Sequence, residues 1–199
     1  MPPKQTFTKD KIVDAALTLM RREGFAKLTA RSIAKELGSS TMPVYSTIES
    51  MEKLKELIFI RSTEIAAGFR AKYQTGDVLT KYALGHIMLA KEEKELFHLV
   101  WLDSSWDLSV INATLSLSLG TIREELIAEG KYRISDDPQK FISFIHFVWL
   151  FIRGIGVEVN LGTFKLLENE DDFVPSMTLF LEKNLSSLFT SYEVVAAQK

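Results

Sequence analysis

The sequence predicts an all-α protein of about nine helices, and three observations support this fold class. Apolar residues recur at spacings of three and four in nearly every segment, as they do along one face of a helix. No stretch alternates apolar and polar residues in the manner of a strand. Glycines, prolines and capping residues separate the periodic segments and mark the ends of successive helices.

The first two helices are short and have clear ends. Residues 8–24 form the first, because Thr8 can cap its start and Gly24 can end it. The second begins at Thr29 and stops at Gly38. Both carry an apolar stripe that we expect to face a core, formed by Ile12, Ala15, Ala16, Leu19, Met20, Ile33, Ala34 and Leu37.

The run LGSSTMPVYS, residues 37–46, predicts a third and very short helix. Its Gly-Ser-Ser start is the kind of small-residue turn that joins the two helices of a helix-turn-helix. Ser40 is the predicted cap, which puts Pro43 in the first turn, where its missing N–H costs no intrahelical hydrogen bond. The proline therefore marks the start of the helix and leaves Thr41, Met42 and Pro43 as an exposed tip.

The remaining helices follow the same logic of caps and breaks. Ser50 and Asp77 can cap two of them, and Pro138 suits the first turn of another. Gly76 and Gly130 break the periodic pattern between helices. The predicted helical ranges are 51–74, 78–91, 93–103, 106–129, 138–160 and 172–190.

The composition excludes several classes of protein. The 199 residues include no cysteine, so disulfides, thiolate metal sites and thiol redox chemistry are excluded. Residues 1–10 contain no apolar signal region. The apolar run 141–152 is shorter than the ~20 residues that span a bilayer, so we expect it to be buried between helices or at a subunit interface. We therefore expect a cytoplasmic protein that spans no membrane.

The net charge of −2 hides an asymmetry along the chain. Residues 1–55 hold ten Lys and Arg against six Asp and Glu, which gives +4. The rest of the chain holds 14 basic and 20 acidic residues, which gives −6. A basic first quarter favours contact with a polyanion at one end, although chance scatter on solvated faces is the alternative.

Motifs for catalysis are absent from the sequence. Glu95 and His98 form a Glu-x-x-His pair, but a di-iron site needs two such pairs, and Ala83 and Ser143 stand three residues before the other histidines. There is no His-Glu-x-x-His, no glycine-rich phosphate loop and no Gly-x-Ser-x-Gly. We therefore expect no enzyme, no metal and no cofactor.

The chemistry of the third helix suits a recognition helix, which meets base edges with its N-terminal residues. Thr41 can hydrogen-bond to a base edge, and the apolar surfaces of Met42 and Pro43 can lie against a thymine methyl. Tyr45, one turn on, and Arg31, in the first turn of the preceding helix, can reach phosphates. The alternative is a plain helical corner in which Tyr45 and Val44 belong to the core.

Residues 8–58 resemble the DNA-binding region of the TetR/AcrR family of transcriptional repressors, in order and in spacing. This resemblance implies a dimer of nine- or ten-helix subunits whose first three helices bind DNA and whose last two pair with a second subunit. It also implies a ligand in the larger domain that moves the fourth helix and releases the operator. The matching residues are Ile12, Ala15, Ala16, Leu19, Gly24, Phe25, Leu28, Thr29, Arg31, Ile33, Ala34, Leu37, Gly38, Tyr45 and Leu54.

By position, the resemblance assigns Thr41, Met42 and Pro43 to bases and Arg31, Tyr45 and Thr47 to the backbone. The chain departs from the family where a lysine usually opens the fourth helix, since Met51 stands there and only Lys53 or Lys55 could replace the phosphate contact. The full predicted DNA-binding set is Thr29, Arg31, Ser40, Thr41, Met42, Pro43, Tyr45, Thr47 and Lys53.

The rest of the chain is expected to hold the ligand. Residues 75–199 carry all three Trp, all three His and nine of the thirteen Phe, which suits either an apolar or aromatic ligand pocket or an ordinary core. Polar residues among apolar helical neighbours are the better indication of a pocket. The predicted ligand-binding set is Tyr82, His86, Trp101, Asn112, Phe144 and Phe147.

The sequence thus predicts a ligand-responsive repressor that binds a palindromic operator as a homodimer. Residues 1–50 would bind DNA, and residues 51–199 would bind the effector and a second subunit, pairing near 138–160 and 172–190. The first alternative is an all-α small-molecule-binding or enzymatic domain with a structural N-terminal corner. The second is a family member with degenerate DNA contacts that acts through protein partners.

Overall fold

A computed structural model describes residues 7–102, 108–164 and 172–191. Helices are the only regular elements in these ranges, which confirms the predicted all-α class. A 3₁₀ turn at Phe25–Lys27 follows α1, and a π-helical turn at His98–Leu102 follows α6. The nine α-helices are α1 Lys9–Glu23, α2 Ala30–Glu36, α3 Thr41–Ile48, α4 Met51–Lys72, α5 Val78–Glu92, α6 Lys94–Phe97, α7 Leu108–Glu129, α8 Pro138–Leu161 and α9 Phe173–Ser191.

The chain packs as two compact units. Unit 1 comprises Met1–Ile65 with Glu93–Asp103, and unit 2 comprises Ala66–Glu92 with Ser104–Lys199. The boundaries fall within α4 and at the end of α5, so neither unit is one continuous stretch of chain. These units are defined by packing, and the functional division at residue 50 stays a prediction.

Three of the predicted caps hold unit 1's helices in place. The Thr8 hydroxyl accepts a hydrogen bond from the Lys11 amide at 3.2 Å, and Ser50 accepts one from the Lys53 amide at 3.1 Å. Thr29 forms a reciprocal capping box with Ser32. The capping prediction for Ser40 is correct in position but wrong in chemistry, because its extended backbone precedes α3 while its hydroxyl makes no capping bond.

Unit 1 has an apolar core between its helices, which contains most of the two predicted apolar stripes, whereas Ala15 and Leu37 are only half-buried. Burying each large aliphatic side chain contributes about 1.5–3 kcal/mol, so α1 to α4 are held mainly by this core. At the surface of unit 1, the Arg21 guanidinium donates two hydrogen bonds of 2.7 and 2.8 Å to the Glu93 carboxylate. This ion pair attaches the start of α6 to α1. The core residues include Ile12, Ala16, Leu19, Met20, Ile33, Ala34, Val44, Ile48, Leu54 and Ile58.

Unit 2 is built around α5, which packs against α7, α8 and α9. Ten of the fifteen residues of α5 are buried, so this helix is apolar on nearly all sides. The Asn160 amide of α8 donates to the Ala90 carbonyl of α5 at 3.1 Å and adds a polar tie between the two helices. The core includes Leu84, Ile87, Phe144, Ile145, Val148, Met177, Leu181 and Leu185.

We expected no membrane span because the apolar run 141–152 is too short to cross a bilayer. Helix α8, which contains this run, is longer. Its 24 residues are long and apolar enough to cross a bilayer, and it is the one helix of the described residues that passes this test. Such a helix is weak evidence for a membrane protein, because a core helix of a soluble protein has the same length and composition. Eight of the 24 residues of α8 are buried within the unit.

Within unit 2, α4 and α5 approach closely at Gly85. A Cβ atom at this buried glycine would lie 2.7 Å from the Cα atom and 2.8 Å from the backbone nitrogen of Arg70. Backbone atoms cannot rotate away as a flexible side chain can, so the two helices would have to separate. The absence of a side chain at position 85 therefore sets the distance between α4 and α5.

We expect Gly85→Ala to lower the free energy of unfolding by about 1–3 kcal/mol through overpacking. The matched control is Gly68→Ala on α4, where a Cβ meets nothing within 4 Å. That change should raise stability by about 0.5–1 kcal/mol, because alanine favours the helix. Urea unfolding followed by circular dichroism measures both, and equal stability of the two variants would contradict the close approach.

Candidate nucleic-acid interface

At the tip of α3 Met42 is exposed, whereas Thr41 and Pro43, also predicted to be exposed, are half-buried. The other face of α3 is anchored in the core of unit 1. Val44 and Ile48, one turn apart, are each 2% exposed and pack α3 against α1 and α2. Met42 is 66% exposed and Tyr45 is 51% exposed. The corner interpretation was therefore right about Val44 but wrong about Tyr45, which is not a core residue.

A concave surface lies between α2 and the start of α3. Its volume is about 610 Å³. Arg31 and Lys35 stand four residues apart on α2 and both line it, as neighbouring positions on one helical face do. The lining residues are Thr29, Arg31, Ser32, Ala34, Lys35, Ser39, Ser40 and Thr41.

Four basic residues of unit 1 form ion pairs, namely Arg21, Arg22, Lys53 and Arg61. Arg22 contacts both Glu36 at 2.7 Å and Glu23 at 2.9 Å. Its hydrogen bond with Glu36 raises the pKa of the Arg22 guanidinium and lowers the pKa of the Glu36 carboxyl. Both groups therefore stay ionised around neutral pH, and Glu36, next to Lys35 in sequence, is already bonded to Arg22.

Arg31 and Lys35 differ from these paired residues. Across the described ranges, no acid lies within ion-pairing distance of either side chain, and both are exposed. Two cations that form no ion pair within the described ranges thus border the same concave surface as Thr41 of the tip of α3. Arg31 was predicted from the sequence, but Lys35 was missed, although its position one helical turn after Arg31 was a usable signal.

Lys53 and Lys55, which could replace the lysine that the family usually has at the position of Met51, both contact other side chains. The Lys53 ammonium lies 2.6 Å from the Glu56 carboxylate, and this hydrogen bond raises the pKa of Lys53. The Lys55 ammonium lies over the Phe25 ring, 5.8 Å from its centre. Either side chain would have to leave a partner in order to reach a phosphate.

The hydroxyl groups near α3 divide into two sets. The side chains of Thr29 and Ser32 bond to each other's backbone in the capping box, and Thr47 donates to the Phe7 carbonyl at 3.3 Å. Ser40 and Thr41 line the concave surface, and no side-chain hydrogen bond of either is described. The predicted DNA contacts of Thr29 and Thr47 therefore compete with structural hydrogen bonds, whereas those of Ser40 and Thr41 do not.

The predicted ligand residues fall into different environments. Phe144 is 1% exposed in the core of unit 2, whereas Phe147 is 39% exposed on the same helix. Trp101 belongs to unit 1, and the side chain of Asn112 lies outside the described residues. Ligand contact by Phe144 and Phe147 stays a prediction, and burial places the two side chains in different environments.

The two remaining ligand candidates lie one turn apart on α5. The His86 ring lies 5.7 Å from the Trp149 ring, and burial, with a smaller effect of the Arg153 charge, lowers the pKa of His86 to about 3. The Arg70 guanidinium lies 4.2 Å from the centre of the Tyr82 ring. Burial raises the pKa of Tyr82 to about 12, so both side chains are neutral near pH 7. The sequence did not single out Trp149 or Arg70.

No group of three or more His, Asp or Glu side chains that could hold a metal ion occurs among the described residues. Glu95 and His98 lie at the junction of α6 and the π-helical turn.

Comparison with known proteins gives partial sequence matches, and no family model matches the chain. The chain is 37% identical over 59 residues to the HTH-type transcriptional repressor DrrR1 of Streptomyces coeruleorubidus. The matched residues make up 30% of this chain and 22% of that protein. The chain is 35% identical over 54 residues to the HTH-type transcriptional regulator Rv0681 of Mycobacterium tuberculosis, covering 27% of this chain and 25% of that one. The chain therefore matches a quarter or less of the length of these relatives.

Solved structures extend the similarity to nearly the whole chain. A TetR-like transcriptional regulator from Rhodococcus sp. RHA1 superposes with a TM-score of 0.61 at 14% identity, over 92% of this chain and 95% of that one. A TetR family transcription regulator from Marinobacter aquaeolei VT8 gives 0.57 at 15% identity, over 85% and 92%. A variant of TetR from Acinetobacter baumannii AYE, in complex with minocycline, gives 0.59 at 14% identity, over 94% and 99%.

The exposed α3 tip and the helical architecture define an all-α protein with a helix-turn-helix. More particularly, the chain has the fold of the TetR-family transcriptional regulators, which confirms the resemblance noted in its sequence. At these identities the structural similarity establishes the fold and no more.

Proposed function

We propose that this chain is a transcriptional repressor that binds a palindromic operator as a homodimer and is released by a small apolar or aromatic effector. The exposed tip of α3 beside the uncompensated Arg31 is the observation that carries this proposal. A buried tip would exclude contact with base edges, and a neutralised surface would have little affinity for the phosphate backbone.

The tip offers both kinds of contact that a duplex requires. Thr41 presents a hydroxyl to a base edge, and the exposed Met42 presents an apolar surface to a thymine methyl. Arg31 and the phenol of Tyr45 contact phosphates on either side of the tip. Base contacts then supply specificity, while phosphate contacts fix the depth and orientation of α3.

A second copy of the chain supplies the second recognition helix. Among the side chains that the structure describes on the last two helices, five large apolar ones are exposed, namely Ile142, Phe147, Leu150, Leu161 and Leu179. Pairing α8 and α9 with their symmetry mates would bury these side chains in an isologous interface. Two-fold symmetry also matches two half-sites about 34–36 Å apart, or a multiple of that distance.

Release follows if the effector binds one dimer geometry more tightly than another. The effector need only favour the dimer geometry in which the two recognition helices no longer match successive grooves of the duplex. The ratio of its affinities for the two geometries sets how far the equilibrium between them shifts. His86 and Trp149 are the neutral aromatic groups that we assign to contact such an effector in a cytoplasmic protein.

DNA binding is tested on a duplex selected by the wild-type protein from a random pool. We expect Thr41→Ala and Tyr45→Phe each to weaken binding about 5–30-fold, since a lost hydrogen bond to a charged or base partner costs about 1–2 kcal/mol. Fluorescence anisotropy with labelled duplex measures the affinity. Affinity should also fall steeply as salt rises.

The matched control is Thr18→Ala. Its exposed hydroxyl bonds to the Asp14 carbonyl within α1, so its loss should leave affinity unchanged. A wild-type protein that selects no duplex even at low salt would refute the repressor proposal and favour a structural corner. Normal affinity of both tip variants on a selected duplex would refute the assigned contacts.

A further inference from the structure

We propose that Arg70 and Tyr82 of unit 2 bind the carboxylate of a small aromatic acid, whose ring lies against His86 and Trp149. The site is argued from the contacts and charges of these side chains. That such an acid is the effector that releases DNA rests on the proposed function.

Arg70 is a cation that forms no ion pair within the described residues. Its side chain is half-buried, and its guanidinium lies over the Tyr82 ring, 4.2 Å from the ring centre. No carboxylate of the described residues lies within ion-pairing distance of it. An arginine that stacks on a ring still presents N–H donors at the edge of its guanidinium, where a carboxylate can accept two of them.

The Tyr82 hydroxyl supplies another donor beside Arg70. Its oxygen is buried, and it makes no hydrogen bond to a described residue. A buried hydroxyl without a partner costs free energy, so most such groups are paired in folded proteins. A carboxylate that accepts hydrogen bonds from both the phenol and the guanidinium would satisfy the two groups together.

His86 and Trp149 supply the surface for the ring of the acid. Tyr82 and His86 are four residues apart on α5, so they share one helical face with their Cβ atoms about 5–6 Å apart. The centres of the His86 and Trp149 rings are 5.7 Å apart, and the ring planes are tilted by 59°. A ligand whose carboxylate lies at Tyr82 therefore places a directly attached aromatic ring beside His86 and Trp149.

The charges around the site favour an anion. Burial is the main cause of the shifted pKa values of His86 and Tyr82, but Arg153 also acts on His86, and Arg70 and Glu125 also act on Tyr82. Two positive charges thus stand against one negative charge. A cationic ligand would be repelled by both arginines, and a neutral ligand would leave Arg70 without a counter-ion.

The first experiment compares naphthalene-2-carboxylate with naphthalene-2-carboxamide on the full chain by isothermal titration calorimetry. The two probes share one ring system, and only the acid is charged at pH 7. We expect the acid to bind saturably and the amide to bind at least about 10-fold more weakly, equivalent to about 1.4 kcal/mol. Because both titrations use the wild-type protein, the comparison does not depend on the folding of a variant.

The second experiment uses two variants to locate the carboxylate. Arg70→Gln removes the cation and Tyr82→Phe removes only the hydroxyl, so each should weaken binding of the acid about 10-fold and leave binding of the amide nearly unchanged. Arg123→Gln is the matched control, because Arg123 is also a half-buried arginine of unit 2 and lies over the Phe141 ring, 5.9 Å from its centre. Circular dichroism confirms that each variant is folded.

The outcomes separate the site from the proposed function. Preference for the acid that Arg70→Gln and Tyr82→Phe abolish, in a protein with no duplex affinity, supports the site and refutes the repressor proposal. If the acid also weakens duplex binding by the wild-type protein but not by Arg70→Gln, both are supported. Absence of saturable acid binding, equal affinities for acid and amide, or equal losses in Arg70→Gln and Arg123→Gln would each refute the site, whatever the protein does to DNA.

Discussion

Replacing Phe144 by alanine is expected to lower the free energy of unfolding by about 3–5 kcal/mol. Phe144 is 1% exposed on α8 and belongs to the core that α5, α8 and α9 form in unit 2. Its removal deletes a large apolar surface and leaves a cavity that a close-packed interior fills only in part. Thermal and urea unfolding of the full chain measure the loss.

The control for this change lies three residues along the same helix. Phe147 is 39% exposed, so Phe147→Ala should cost the subunit core much less than Phe144→Ala. In the proposed dimer the same change should weaken subunit association, which analytical ultracentrifugation detects. Nearly equal losses of subunit stability from the two variants would mean that Phe144 is not a core residue.

The second large effect is expected at Asp77, whose carboxylate joins two parts of unit 2. It is 8% exposed, and it accepts hydrogen bonds from the Thr80 amide at 2.8 Å and the Tyr132 hydroxyl at 2.9 Å. The Lys131 ammonium also contacts it. Asp77 therefore caps α5 and attaches to it the segment that follows α7.

We expect Asp77→Ala to destabilise the protein by about 2–4 kcal/mol. Loss of a cap costs about 1 kcal/mol, and loss of the hydrogen bond from the Tyr132 hydroxyl to a charged carboxylate costs about 1.5–3 kcal/mol more. Asp136→Ala is the control, because Asp136 is exposed in the same connecting segment. Equal unfolding midpoints for the two variants in urea would contradict the role assigned to Asp77.

The stabilisation from Asp77 should depend on pH in a defined direction. Burial alone would raise the pKa of Asp77, but the hydrogen bonds from Lys131, Thr80 and Tyr132 outweigh it and hold the pKa below the ordinary value. A carboxyl with a lowered native pKa contributes fully above its unfolded pKa of about 3.9 and loses the contribution as pH falls through the native pKa. The stability difference between wild type and Asp77→Ala should thus be constant from about pH 7 to pH 5 and shrink below about pH 4.

Helix ends were readable from the sequence because the signals that set them are local. Thr8, Thr29 and Asp77 each bond to an amide three residues ahead, and Pro138 occupies the first turn of α8. Such signals lie within one turn of the chain, so no knowledge of distant contacts is required. Ser40 shows the limit, since its backbone adopts the capping conformation while its hydroxyl is not used.

The exposed tip of α3 was also predictable for a local reason. Once Val44 and Ile48 are buried, helical geometry turns Met42 and Tyr45 away from the same core. The order of turn, proline and apolar residues in the run 37–46 therefore determined which side chains face outward. What these side chains bind is a separate question that the proposed experiments address.

The sequence by itself determined most of the helices and their ends and the outward-facing Met42 and Tyr45 of α3, because periodicity and capping act within a few residues. It did not indicate that the predicted helix 93–103 changes from α6 to a π-helical turn at His98. Only the tertiary structure decided that Phe144 is buried while Phe147 is exposed, and that Gly85 meets the backbone of Arg70. It also decided that Lys35 forms no ion pair within the described residues, while Arg22, from another helix, is bonded to Glu36. Burial and ion pairing depend on which distant segments meet, and spacing along one helix does not contain that information.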